Sequence, residues 1–168
     1  MDPDISFDKY IETELNAVEQ RIEKDYKKAV NHVLRGYLLS RQGVEEEALE
    51  CFDRALKLDP SCSESFYFRA QLHLDHYRTD EALADIKMAI LLKNDKADYY
   101  YIKGEILRKA KRPLDAVFAY SHALEIKPAY RACLVERGFL LRHITEGELR
   151  VQSQRDLERA EELREEIH

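Results

Sequence analysis

Residues 97–130 read ADYYYIKGEILRKAKRPLDAVFAYSHALEIKPAY, and the small residues of this stretch recur elsewhere in the chain at intervals of 34 residues. One row of small residues consists of Gly36, Ala70, Gly104 and Gly138. Two further rows keep the same register, and they consist of Ala48, Ala82 and Ala116, and of Ala55, Ala89 and Ala123. A row of large apolar residues, Phe52, Ile86 and Tyr120, accompanies them. Rows in a common register predict a stack of copies of one structural unit.

The pattern resembles the tetratricopeptide repeat family, whose unit is a helix–turn–helix of 34 residues with small and aromatic residues at fixed offsets. The copies at 29–62 and 97–130 match this pattern well, and the copy at 63–96 departs from it at His73 and Asn94. The resemblance implies an all-α fold, a right-handed α-α superhelix of stacked hairpins.

A partial fourth repeat is expected at 131–148. Leu134, Gly138 and Leu141 fit its first helix, whereas Arg150 and Gln154 stand where a small and an aromatic residue are expected. The superhelix is therefore expected to contain three full repeats and this partial one.

Both ends of the chain are predicted to be capping helices, because the terminal repeats of such a stack would otherwise expose an apolar face. Residues 7–27 carry an apolar stripe at helical spacing, formed by Phe7, Ile11, Leu15, Val18 and Ile22. Residues 149–168 form a polar closing helix with a narrow apolar stripe. The acidic excess disfavours reading this last segment as a membrane-surface helix. The whole chain, 1–168, is interpreted as one domain.

Composition excludes several classes of partner. Lys and Arg number 27 and Asp and Glu number 33, so the net charge is −6 and no general positive excess is available to neutralise phosphates. Nucleic acid is therefore not expected as a partner. No apolar run approaches the roughly 18 residues that a membrane span needs, and the N-terminus lacks the pattern of a secretory signal. Three scattered cysteines do not suggest a disulfide framework, and we expect a cytoplasmic protein with reduced thiols.

The sequence shows no equipment for catalysis. It contains no glycine-rich phosphate loop, no His-Glu-x-x-His motif and no Cys-x-x-Cys pair. His73 and His76 lie three residues apart, but a metal site needs three or four ligands, and a packed histidine is the simpler interpretation of His73. Cys51 and Cys133 have no recognisable activating partner and are interpreted as small buried apolar residues. We expect no enzyme activity, no cofactor and no metal.

The remaining candidate site is the concave surface that the first helices of the hairpins would line. In proteins of the resembled family, positions two, five, nine, twelve and thirteen of the first helix contact peptides. Transferred to this chain, these positions place the following candidate residues in the groove: Val33, Tyr37, Tyr67, Gln71, Leu74, Tyr101, Glu105, Arg108, Val135, Phe139 and Arg142. Tyr37, Tyr67, Tyr101 and Phe139 form an aromatic row, and aromatic side chains commonly anchor interfaces.

This groove departs from the carboxylate clamp known in the family, which grips the acidic tail of heat-shock chaperones with Lys, Asn and Arg side chains. The corresponding positions here hold Val33, Tyr37, Gln71, Tyr101 and Glu105. The sequence therefore favours a non-catalytic interaction module or adaptor that binds a peptide segment of a protein partner. Three alternatives stay open: a self-assembling scaffold, a chaperone that shields a client in the manner of secretion chaperones with three such repeats, and tyrosines that merely pack between neighbouring helices.

Overall fold

The computed structural model describes residues 3–144 and 148–165, and the described chain is helical and contains no strand. Its helices are α1 (Pro3–Lys24), α2 (Ala29–Arg41), α3 (Glu45–Leu58), α4 (Ser63–Asp75), α5 (Thr79–Leu92), α6 (Ala97–Lys109), α7 (Pro113–Ile126), α8 (Arg131–Ile144) and α9 (Glu148–Glu165). The all-α prediction is confirmed. Residues 145–147, at the end of the predicted fourth repeat, and 166–168, at the end of the predicted closing helix, lie outside the described residues.

Each hairpin is held together by a small residue facing a large one. A side-chain carbon added at Gly104 would lie 2.4 Å from Cε1 of Tyr120, a ring that is fully buried. At Gly36 the nearest atom is Cε1 of Phe52, at 2.7 Å. The absence of side-chain bulk at these positions lets the axes of paired helices approach closely. The 34-residue rows of small residues therefore mark helix contacts within hairpins.

The turn inside each of the first three hairpins places one residue in left-handed backbone conformation. These residues are Gly43 (φ 78°), Tyr77 (φ 59°) and Lys111 (φ 57°), and they stand 34 residues apart. Glycine adopts this conformation at no steric cost, whereas a side chain makes it less favourable. The chain therefore keeps the same turn in all three hairpins although only the first has the residue best suited to it.

Neighbouring hairpins stack in order along the chain, with α3 against α4, α5 against α6 and α7 against α8. Helix α1 packs on α2, where Ile11 and Val18 bury their side chains against Leu38. This helix starts before the predicted residue 7 and ends at Lys24, three residues before the predicted end. The arrangement gives a core that continues from α1 through the stacked hairpins.

Helix α9 forms the second half of a fourth hairpin with α8, and it does so in a shifted register. Gly138 faces Leu157, and the hydroxyl of Ser153 donates a hydrogen bond to the Gly138 carbonyl at 2.9 Å. Ser153, Leu157 and Ala160 occupy the places of Ala48, Phe52 and Ala55, but each lies three residues later than the 34-residue period puts it. The segment expected to close the stack thus also completes the packing of α8. The sequence repeat fades there because three additional residues separate the facing positions.

A row of arginines on the first helices ties three of the hairpins together internally. Arg69 donates two hydrogen bonds to Asp85, both at 2.7 Å, and Arg137 donates two to Asp156, at 2.7 and 2.8 Å. In the first hairpin, Arg35 instead donates to the Cys51 thiol at 3.1 Å. The shared geometry supports the three-residue shift, because Asp156 corresponds to Asp85 only when that shift is applied.

Candidate peptide-binding groove

The first helices of the hairpins form the inner layer of the stack. Helix α2 contacts α4, and α4 contacts α6, so these helices lie side by side on one surface. In a superhelix of hairpins such a layer lines the concave side. The candidate residues from the sequence lie on these helices and on α8.

Two adjacent depressions lie on this surface between α2, α4 and α6. The first, which we call the first-junction trough, has a volume of about 590 Å³ and is lined mainly by apolar side chains, with charged groups at its mouth. Its lining consists of Ala29, Val30, Val33, Leu34, Tyr37, Asp59, Ser61, Cys62, Glu64, Phe68 and Lys93. The second depression, of about 460 Å³, shares Tyr37 and Phe68 with the first and is lined further by Ser40, Arg41, Tyr67, Gln71, Leu72, Leu74, Asp75 and Ile102. The two depressions are adjacent and share Tyr37 and Phe68, and we refer to them together as the groove.

Five of the sequence-predicted residues meet in this groove, with different accessibility. Tyr37 keeps 36% of its surface exposed and packs its ring against Phe68, with centroids 5.0 Å apart. Tyr67 and Gln71 are half-buried, whereas Val33 and Leu74 are buried and present only an edge to the groove. A ligand in this groove would therefore meet Tyr37 more fully than Val33 or Leu74.

Tyr67 and Tyr101 are both packed against other rings of the chain. Tyr67 stacks on Tyr99 with centroids 4.8 Å apart, and Tyr101 lies 5.1 Å from Tyr130. Burial raises the pKa of Tyr67 and the pKa of Tyr101 to about 12 each, because the charged phenolate is disfavoured away from water. Both side chains therefore stabilise the junctions between repeats, and the aromatic row is less uniform than the sequence suggested.

Glu105 and Arg108 take part in a polar cluster that joins α6, α7 and α8. Glu105 accepts a hydrogen bond from the Tyr120 hydroxyl and another from Arg108 at 2.7 Å. Arg108 also lies 3.5 Å from a carboxylate oxygen of Glu136. Burial, with the nearby Glu105 carboxylate, raises the pKa of Glu136. The carboxylate of Glu105 and the guanidinium of Arg108 thus form hydrogen bonds and ion pairs largely with each other and with neighbouring side chains of the protein.

The candidates on α8 extend the surface beyond this cluster. Val135 is half-buried and packs against the core between α7 and α8, whereas Phe139 remains 48% exposed and Arg142 is exposed. The structure does not bring these three side chains into the groove formed by α2, α4 and α6. They belong to a separate part of the inner layer.

Phe68 is the central groove residue that the sequence analysis missed. Its ring contacts three others, with centroids 5.0 Å from Tyr37, 6.4 Å from Phe52 and 5.0 Å from Tyr67. Phe68 stands at position six of its repeat, which is not among the positions that face ligands in the family pattern. The helix-connecting residues Asp59, Ser61 and Lys93 were missed for the same reason.

The thiols and histidines are engaged in packing and local hydrogen bonds. Burial raises the pKa of the Cys133 thiol to about 12, and it also raises the pKa of Cys51 and that of Cys62. His73 accepts a hydrogen bond from Arg78 at 3.0 Å, whereas His76 pairs with Glu45 at 2.8 Å. Within 3–144 and 148–165, no cluster of three or more His, Cys, Asp or Glu side chains is arranged to hold a metal ion. In the same ranges, none of the helices combines the length and apolarity needed to cross a bilayer.

The fold of this chain is similar to those of several solved structures. A crystal structure of MamA superposes with a TM-score of 0.79 at 20% identity, covering 99% of this chain and 97% of that one. The structure of PilF from Pseudomonas aeruginosa gives a TM-score of 0.84 at 15% identity, covering 91% of this chain and 68% of that one. At these identities the likeness concerns the fold.

Sequence comparison identifies the family. Tetratricopeptide repeat protein 16 from Homo sapiens is 30% identical over 115 residues, which are 60% of this chain and 13% of that protein, so the chain matches only a small part of this relative's length. A family profile described as tetratricopeptide repeat matches residues 33–95, and a second with the same description matches 97–130. Together these matches cover more than half of the residues, and the chain belongs to the tetratricopeptide repeat family.

Proposed function

We propose that this chain is a non-catalytic interaction module that binds an apolar or aromatic peptide segment of a partner protein in the groove between α2, α4 and α6. The observation that carries the proposal is that two adjacent depressions on the inner helices share the aromatic residues Tyr37 and Phe68. The lining of the groove combines apolar and aromatic side chains with a few charged groups, as is common in binding sites.

Exposed apolar side chains along the groove support this proposal. Val30 is 65% exposed although it lies beside the buried Val33, and Tyr37 stands partly open next to it. Aromatic and aliphatic groups that are already held in place by the scaffold lose little side-chain entropy when a partner covers them. The cytosolic location expected from the sequence remains part of the proposal, and it is supported by three buried cysteines that form no disulfide.

The test is selection from a random-peptide phage library, followed by fluorescence polarisation with the selected peptides. Val30→Asp and Tyr37→Ala should each weaken binding by roughly tenfold, the loss expected of a central interface contact. Leu91→Asp is the matched control, because Leu91 is an exposed apolar residue on α5 outside the groove. Equal binding by all three variants would place the peptide elsewhere and refute the proposal. Tyr67→Ala and Tyr101→Ala are less suitable, since both rings pack between repeats.

Self-assembly, as a scaffold or as a client-shielding chaperone, is a second candidate that a separate surface favours. Helices α5 and α7 expose several large apolar side chains on their outer faces, namely Met88, Leu91, Leu114, Phe118 and Ile126. Exposed apolar surface of this kind is common at sites of association. Sedimentation velocity at increasing protein concentration separates the two candidate functions. A scaffold should form larger species, and Phe118→Asp should abolish them, whereas a peptide-binding monomer should form no larger species.

A further inference from the structure

The third repeat carries tyrosines at positions equivalent to residues that line the first-junction trough in the first repeat. Applying the 34-residue period twice relates Val30 to Asp98, Val33 to Tyr101, and Cys62 to Tyr130. In the third repeat, the Tyr101 and Tyr130 rings pack 5.1 Å apart. Burial, with the nearby Asp98 carboxylate, raises the pKa of Tyr130. In the first repeat, the three corresponding side chains are small and apolar, and they line a trough of about 590 Å³.

The second repeat also carries a ring at this position. Tyr67, which corresponds to Val33, stacks on Tyr99 with ring centroids 4.8 Å apart. Position five therefore carries a packed tyrosine in the second and third repeats and a valine in the first. The smaller side chain of Val33 therefore contributes to the open space of the first-junction trough.

We infer that the first-junction trough accepts an aromatic side chain of a partner peptide, tyrosine or phenylalanine, with a lysine or arginine close to it in the peptide. This inference rests on the proposed function and specifies its ligand. Tyr37 and Phe68 supply ring surfaces beside the trough, and aromatic pairs favour the tilted and offset arrangements that these two rings already adopt with each other. The guest ring would take the place that Tyr101 and Tyr130 occupy in the third repeat.

The charges at the mouth of the trough specify the neighbouring basic residue. Lys93 is paired with Glu64, with 2.5 Å between its ammonium nitrogen and the carboxylate oxygen. Asp59 accepts hydrogen bonds from the backbone nitrogen of Ser61 at 2.9 Å and from its hydroxyl at 2.6 Å, and both donors are neutral. The two bonds from Ser61 lower the pKa of Asp59, which therefore stays ionised at neutral pH. With Lys93 balanced by Glu64, the mouth carries a net negative charge that suits a cation in the partner.

The experiment selects peptides on the wild-type protein and compares their affinity for the wild type with their affinity for Val33→Tyr. This substitution gives the first repeat the tyrosine that the second and third repeats carry at the same position. The matched control is Val151→Tyr, on an exposed site of α9. Circular dichroism and thermal unfolding establish that the variants are folded. Substitutions in the selected peptide, from the aromatic residue to leucine and to alanine, provide a second measurement that leaves the protein unchanged.

We expect an aromatic residue with a nearby lysine or arginine to be enriched, and Val33→Tyr to weaken binding about tenfold or more. Val151→Tyr should bind as the wild type does, and Asp59→Asn should weaken binding of the basic peptides by about threefold. Enrichment of aliphatic peptides without a ring, or undiminished binding by a folded Val33→Tyr, would overturn the inference. Peptides that lack a ring yet lose affinity with Tyr37→Ala would leave the proposed function standing. The absence of any enriched peptide would refute both.

Discussion

Replacing Gly104 with alanine tests the packing that defines each hairpin. The added carbon would lie 2.4, 2.6 and 2.8 Å from three atoms of the Tyr120 ring. That ring is fully buried, and its hydroxyl is hydrogen-bonded to Glu105, so it cannot turn aside without losing that bond. Overpacking of this kind costs about 1–3 kcal/mol, and the clash favours the upper part of that range. Alanine recovers about 1 kcal/mol through its helix propensity, so the net loss in the free energy of unfolding is about 1–2 kcal/mol.

Urea unfolding followed by circular dichroism measures this loss, and the other glycines supply the controls. A carbon added at Gly138 would lie 3.0 Å from Cγ and Cδ2 of Leu157, which belong to a flexible side chain, and 3.3 Å from the Ser153 carbonyl oxygen. Gly138→Ala should therefore be neutral or stabilising by up to about 1 kcal/mol. Gly36→Ala, with Phe52 at 2.7 Å, should fall between the two. Equal stability of Gly104→Ala and the wild type would refute the packing argument.

A double-mutant cycle makes the test specific to the facing pair. The second hairpin already has alanine at this position, Ala70, opposite Ile86. Gly104→Ala combined with Tyr120→Ile reproduces that natural pair, so the two substitutions should be less destabilising together than their separate effects predict. The expected coupling is about 1 kcal/mol, within the range observed for residues in contact. A coupling of zero would mean that the clash is relieved elsewhere in the structure.

Two further predictions concern buried polar groups. Asp156→Asn should lower the free energy of unfolding by about 2–4 kcal/mol, because it removes the charge that Arg137 contacts at a site where Asp156 is 2% exposed. The matched control is Asp115→Asn, in an exposed pair with Arg112, which should lower it by less than about 1 kcal/mol. Equally small effects of the two substitutions would contradict the pairing of α9 with α8. Stability should fall as the pH rises from about 10, the ordinary pKa of tyrosine, towards about 12, because the unfolded chain releases the protons of Tyr67 and Tyr101 before the folded chain does. Thermal unfolding across this range should show a shallower loss for the Tyr67→Phe and Tyr101→Phe double variant, and an unchanged slope would contradict the burial of these phenols.

The hairpins could be predicted from sequence because side-chain size is repeated wherever two helices meet. Gly104 and Tyr120 are conspicuous as members of rows, and the steric need for a small residue opposite a large one does not depend on the rest of the chain. The turns were less predictable. Gly43 indicates a left-handed residue, but nothing in the side chains of Tyr77 and Lys111 does so, and there the surrounding hairpin imposes the conformation.

The pairing of α8 with α9 escaped the sequence pattern for a different reason. Its facing residues, Gly138 and Leu157, are of the expected sizes, but three additional residues separate them. A search at fixed period therefore finds Arg150 and Gln154 at the tested positions. The contact that could have revealed the shift is electrostatic, since Arg137 continues the row that contains Arg69, and Arg69 pairs with Asp85 as Arg137 pairs with Asp156.

For the candidate groove, the sequence predicts which helices carry the side chains but not how accessible each side chain is. Periodicity places Tyr37, Tyr67 and Tyr101 on the inner helices, but it cannot tell an exposed ring from one that its own neighbours cover. That distinction depends on residues outside the ligand-facing positions, such as Tyr99, which packs against Tyr67, and Tyr130, which packs against Tyr101. The predicted row of anchors thus divides into rings that hold the repeats together and rings that remain accessible.

A repeat protein provides an internal comparison that a single domain lacks, because the same backbone site is built several times with different side chains. Where every repeat carries a small residue, as at Gly36, Ala70 and Gly104, the scaffold requires a small side chain. Where they differ on a common scaffold, as Val33 differs from Tyr67 and Tyr101, the scaffold evidently accepts both, and packing alone does not demand the smaller one. Val33 is small and packs with the Phe68 ring, and the trough beside these two residues stays open. An aromatic side chain from outside the chain can be accommodated in that space, so Val33→Tyr should fill the trough and weaken binding about tenfold or more while the protein stays folded.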